Sequence, residues 1–147
     1  MAGERDLATL LRGMRPQLNP GRFVYCTLPA KVPAGMRPVV TVAEPEGVTV
    51  VVAQDEADAL GLRYEYVAAW ITLQIHSALE AVGLTAAVAG RLAEEGISCN
   101  VVAGFHHDHL FVAADDADRA VRALTELSAR SGGSGDDGDT GGAATSV

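Results

Sequence analysis

His106-His107-Asp108-His109 is the densest run of metal-ligating side chains in the chain. Imidazole and carboxylate donors suit zinc, nickel or copper. Neighbours on a strand point to opposite faces, so only some of the four converge unless a turn bends the run. His106 and His109 are the metal candidates. The competing expectation is a polar hairpin tip, and no metal is assigned. Cys99 could pair with one of these histidines, and His76 stands beside Ser77. No Asp or Glu sits in a pattern that would orient either histidine as a base. Catalysis is therefore not expected, and neither is a cofactor.

Charge narrows the partners further. The chain has 147 residues and a formal net charge of -8. An acidic body argues against nucleic acid, whose phosphates need a basic footprint. It argues equally against attachment to an anionic membrane. Cys26 and Cys99 form neither a CxxC nor a short pair, so no disulfide framework or zinc site is expected. Residues 1–6 carry no apolar run of the secretory type, and no stretch is long enough for a membrane helix. A cytoplasmic protein with reduced thiols is the expectation.

The elements that must position these residues follow from periodicity. Leu7, Leu10, Leu11 and Met14 recur at helical spacing behind Asp6, a natural N-cap, and Pro16 with Pro20-Gly21 ends that helix. Residues 22–28, 39–43 and 48–53 read as strands, with a proline-rich loop over 29–38. Residues 54–60 form a short helix closed by Gly61. Residues 64–75 are long for one strand, and such a strand often serves two sheets. A helical region is expected over 77–95, where Ser77 and Glu80 have capping-box spacing. A hairpin over 98–113 and a helix capped by Asp115 follow. Residues from 131 onward, rich in Gly, Ser and Asp, read as a flexible tail.

An internal repeat supports two units. Val52-Ala53-Gln54-Asp55-Glu56-Ala57-Asp58 aligns with Val112-Ala113-Ala114-Asp115-Asp116-Ala117-Asp118. Each copy ends a strand and opens a helix with carboxylates, which suits the helix dipole. The expected fold is α+β: two tandem ferredoxin-like βαββαβ units with antiparallel sheets, joined by the long central strand. Expected boundaries are 1–63, 64–129 and a disordered acidic tail over 130–147. The second unit lacks its last strand, which must come from the first unit or from a partner chain. A homodimer is one solution to such an edge.

Residues 71–101, with the junction Leu92-Ala93-Glu94-Glu95-Gly96-Ile97-Ser98, resemble the ACT domain, a small-molecule regulatory module of amino-acid metabolism. The run over 77–90, followed by Gly104-Phe105-His106-His107-Asp108-His109, is similar to small bacterial tandem ACT-like proteins. These are related in pattern to the ACT modules of aspartokinases and the CASTOR sensors. Many ACT domains carry a Pro-Gly step in the loop before the first helix, where this chain has residues 77–83. The resemblance implies a non-catalytic regulator that binds a small molecule, foremost an amino acid, at an interface between paired domains. It implies ligand contacts from Ser77, Leu79, Val82, Gly83, Leu84 and Thr85, whose helix-start amides would hold a carboxylate. It adds Ser98, Cys99 and Asn100 on the next strand, where the Asn100 amide oxygen could accept from an ammonium. The alternatives are a ligand-free adaptor for another protein, or a metal-binding protein using the 106–109 hairpin.

Overall fold

The computed structural model describes residues 6–75 and 82–133. The capping box over 77–80 and the tail over 134–147 lie outside them. Seven strands form one antiparallel sheet: β1 (Arg15–Leu18), β2 (Phe23–Leu28), β3 (Val40–Glu44), β4 (Gly47–Ala53), β5 (Val67–Gln74), β6 (Cys99–Ala103) and β7 (Asp108–Ala113). The helices are α1 (Leu7–Gly13), α2 (Gln54–Ala59), α3 (Leu84–Glu94) and α4 (Ala117–Gly133). The sheet order is β3-β4-β2-β5-β7-β6, and β1 also pairs with β5.

That order contains two ferredoxin-like sheets that share a strand. β5 is the last strand of the first set, β2-β3-β4-β5. It is also the first strand of the second, β5-β6-β7-β1. Along one edge its start pairs with β2 (Ala68 opposite Phe23), and its end pairs with β1 (Leu73 opposite Pro16). Its other edge pairs with β7 from Ala68 to Leu73. The missing strand of the second unit thus comes from the N-terminal segment, within the same chain. β1 was not expected, because Pro16 read only as a helix breaker. Proline is tolerated in a strand at a sheet edge, where its absent N–H breaks no ladder bond. In the first unit, the proline-rich loop between β2 and β3 stands where the second unit has α3.

Alternation along the strands divides the buried residues between two faces. Ala69, Ile71, Leu73, Leu110 and Val112 point toward α1, α3 and α4, and pack with Leu10, Met14, Leu84, Val88, Leu92 and Leu124. Val24, Cys26, Leu28, Val50 and Val52 pack with Ala57 of α2. On the opposite face Phe23, Val51, Ala68 and Phe111 are buried among Tyr25, Tyr66, Trp70 and Val102, with no helix residue in the cluster. The rings there cover one another edge to face, with Phe23 and Trp70 centroids 5.4 Å apart and Tyr25 and Phe111 6.0 Å apart.

Three local expectations change. The helical region expected over 77–95 is interrupted at Gly83, whose φ of 95 is a left-handed turn that an α-helix cannot carry through; α3 begins at Leu84, and residues 77–81 lie outside the described residues. Asp115 does not cap α4; a 3-10 turn over Ala114–Asp116 comes first, and Asp116 instead holds Arg119 at 2.9 Å. α4 also runs past residue 130 to Gly133, with the Ser131 hydroxyl donating to the Leu127 carbonyl. Asp6 does cap α1, accepting from the Thr9 amide at 3.0 Å. The repeat is real at the backbone: Ala53 and Ala113 each stand at φ -54 and ψ 136 before their helical turns. No helix among the described residues is long and apolar enough to cross a membrane.

Candidate functional site

Ser77 and Leu79 lie outside the described residues, and the other seven expected contacts separate into two groups. Gly83 is the N-cap of α3 and has no side chain to occupy the helix-start amides. The first backbone bond of that turn runs from the Ala87 amide to the Gly83 carbonyl at 2.9 Å. Val82 and Thr85 are exposed, whereas Leu84 is buried in the core. Leu7 of α1 closes over the cap: a Cβ on Gly83 would stand 3.2 Å from Leu7 Cδ2.

Ser98, Cys99 and Asn100 follow the other end of α3. An eleven-residue helix is about 16 Å long, so one small ligand cannot touch both groups within one chain. Cys99 packs toward the helix-side core, and burial pushes its thiol up to about 11. Asn100 is opposite Phe111, on the other face of the sheet, and exposed.

The histidine run is divided by its turn. The Gly104 amide donates to the His107 carbonyl at 2.9 Å, so His106 sits in the turn and is exposed. A Cβ at Gly104 would meet that carbonyl oxygen at 2.7 Å, so the turn requires glycine. His107 Nδ1 lies 3.2 Å from the Ile75 carbonyl. His109 points back over the helix-free face, where its Nδ1 accepts from the Trp70 indole at 3.0 Å. That bond places the ring proton on Nε2. Burial holds the His109 pKa below its ordinary value, and burial raises that of Asp108. Among the described residues no group of three or more His, Cys, Asp or Glu is placed to hold a metal ion.

A site the sequence did not reveal lies in the first unit. A cleft of about 790 Å³ runs between β2 and the segment leading to β5. Its lining includes Tyr25, Thr27, Leu62, Arg63, Tyr64 and Glu65. The volume is within the range of small-ligand sites. The Tyr64 hydroxyl is fixed, donating to Asp58 at 2.7 Å and accepting from Gln54 Nε2 at 3.1 Å. Burial pushes the Tyr25 phenol up to about 12, so it stays a neutral donor.

The cleft exists because a ladder stops. β2 pairs with β4 from Phe23 to Leu28, but with β5 only at Phe23 and Val24. The Gln54 amide donates to the Arg22 carbonyl at 2.9 Å, which fixes the alternation. In an antiparallel ladder every second residue turns both backbone groups to the same neighbour. Val24, Cys26 and Leu28 therefore bond to β4, while Phe23, Tyr25 and Thr27 face the other edge. Phe23 meets β5 there. The N–H and C=O of Tyr25 and Thr27 face the cleft, with no backbone partner among the described residues.

Comparison with known proteins agrees with the two-unit topology. Two ACT-domain family models match, one over residues 2–69 and one over residues 65–126. Their overlap enters β5, the strand both units share. A protein of unknown function from Vibrio cholerae, described as "Possible Transport Protein", is 44% identical, and the match covers 83% of this chain and 95% of that one, with a TM-score of 0.75. A protein from Agrobacterium tumefaciens is 21% identical over 78% of this chain and 89% of its own, with a TM-score of 0.65. The regulatory subunit of aspartate kinase from Thermus thermophilus is 11% identical over 76% of this chain and 95% of its own, with a TM-score of 0.58, a likeness of fold alone. A search of the curated proteins finds no match. The chain belongs to the ACT-domain family, with two ACT domains in tandem.

Proposed function

We propose that the protein is a non-catalytic regulator that binds an amino acid and transmits its presence to a partner. The observation that carries this reading is the start of α3: an ACT-domain helix whose N-cap, Gly83, leaves the first-turn amides without a side-chain cap. Such amides and the partial positive charge behind them suit a carboxylate. Ser77, Leu79, Val82, Gly83, Leu84 and Thr85 are the proposed contacts at that end. Ser98, Cys99 and Asn100, about 16 Å away along α3, serve the same ligand only if a second chain brings them across. A homodimer in the cytoplasm is therefore part of the proposal.

A thermal-shift panel of amino acids tests it. A ligand at a hundred times its dissociation constant adds about 2.7 kcal/mol to a two-state protein. A selective rise, lost in Asn100→Ala, supports the reading. A flat panel shifts it to the adaptor.

A further inference from the structure

We propose that the cleft beside β2 is a binding site for a short extended peptide, which adds to residues 25–28 as an extra strand. This goes beyond the amino-acid site at α3 and does not depend on it. Three observations converge. First, β2 has an unpaired edge among the described residues: the N–H and C=O of both Tyr25 and Thr27 face the cleft. An added strand satisfies such groups through main-chain bonds, whatever its side chains. Second, Tyr25 and Thr27 are two positions apart, about 6.7 Å along a strand. That is the repeat at which a peptide backbone offers its own donors and acceptors. The ammonium and carboxylate of one free amino acid share a carbon and cannot reach both positions.

Third, the walls match a strand's alternating side chains. Tyr25, Thr27 and Thr49 share the helix-free face, while Cys26 lies on the α2 face. Leu62 and Tyr64 join that α2-side cluster, and the anchored Tyr64 hydroxyl keeps its wall in place. Arg63 and Glu65 are exposed and give the rim one charge of each sign. The occupant is therefore a peptide of a few residues, apolar at alternate positions and polar between them. Its backbone gives affinity, and Leu62 and Tyr64 select one of its side chains.

The test uses the full chain, isotopically labelled, and the blocked peptide acetyl-Lys-Val-Thr-Val-Lys-amide. Two further versions carry an N-methyl group on one of two adjacent central residues. Amide shifts should concentrate at residues 25–28 and 62–66, and hydrogen exchange at Tyr25 and Thr27 should slow about tenfold near saturation. Because alternate amides face β2, one N-methyl peptide should lose about tenfold or more in affinity while the other keeps it. Equal loss from both, or shifts centred on residues 82–85, would overturn the proposal. So would the same pattern produced by free valine, which would make the cleft an amino-acid site. Concentration-dependent shifts at these residues without peptide would assign the edge to a second copy and also overturn it.

Discussion

The indole nitrogen of Trp70 donates to Nδ1 of His109 at 3.0 Å, linking β5 to β7 on the face where no described helix packs. Protonation at Nδ1 would remove the acceptor, and burial already disfavours the charged ring. The unfolded chain takes up a proton below pH 6.5, the ordinary histidine value, which folded His109 resists. Stability should therefore fall as pH drops from 6.5 toward the lower folded value. Asp108 works in the opposite sense nearer 3.8, since burial raises its folded pKa and it gains its proton early. Urea unfolding followed by Trp70 fluorescence should show the loss begin near 6.5, and His109→Gln should flatten that limb. An unchanged profile in the variant would refute the assignment.

Gly83→Val should destabilise the fold by about 2 kcal/mol even without ligand. The residue holds φ 95, and the added Cβ would press on Leu7 at 3.2 Å. Leu7→Ala in the same chain should recover only the steric part. Chemical denaturation of the single and double variants separates the two causes.

Leu10 is fully buried between α1 and the sheet. Leu10→Ala should cost about 3 kcal/mol through lost burial and the remaining cavity. Deleting residues 6–18 should do more, because it removes β1 as well and opens the edge of β5 from Ile71 to Gln74. The shortened chain should self-associate through that edge, as light scattering would show.

Cys99 and Cys26 should react slowly with a disulfide reagent in the folded protein at pH 8. Burial raises both thiols, that of Cys99 to about 11, so little thiolate is present. Both should react promptly in guanidinium. Fast labelling of Cys99 in native buffer would show that β6 opens locally.

Much of this architecture is legible in residue order. The apolar lines of α1 and α3, the two hairpins, the length of β5 and the 52–58 and 112–118 repeat all mark local structure. Even the missing strand of the second unit shows as a gap. Its source does not: Arg15-Pro16-Gln17-Leu18 has no β-branched residue, and only the edge of β5 makes it a strand. The start of α3 at Gly83 was not legible, because Ser77 and Glu80 have capping-box spacing, and the separation of Thr85 from Asn100 appears only once the helix has its length. The cleft left no trace, because it arises where a ladder ends between Val24 and Tyr25. A tyrosine and a threonine in a strand look the same whether or not a neighbour bonds to them. The partner of His109 was hidden for a related reason, since Trp70 reaches it through the register of two strands distant in sequence.

The placement of β1 has a consequence for synthesis on the ribosome. Arg15 and Pro16 are made early, but their partners Gln74 and Leu73 emerge much later, and Ser128, which bonds to the Arg12 carbonyl at 3.2 Å, later still. The opening segment must wait with its apolar side chains uncovered while nearly the whole described chain is translated. Contacts of such sequence separation slow folding. The earliest of the described elements is among the last to be locked, so a nascent chain stalled before α4 would present Leu10, Leu11 and Met14 to chaperones instead of to its own core.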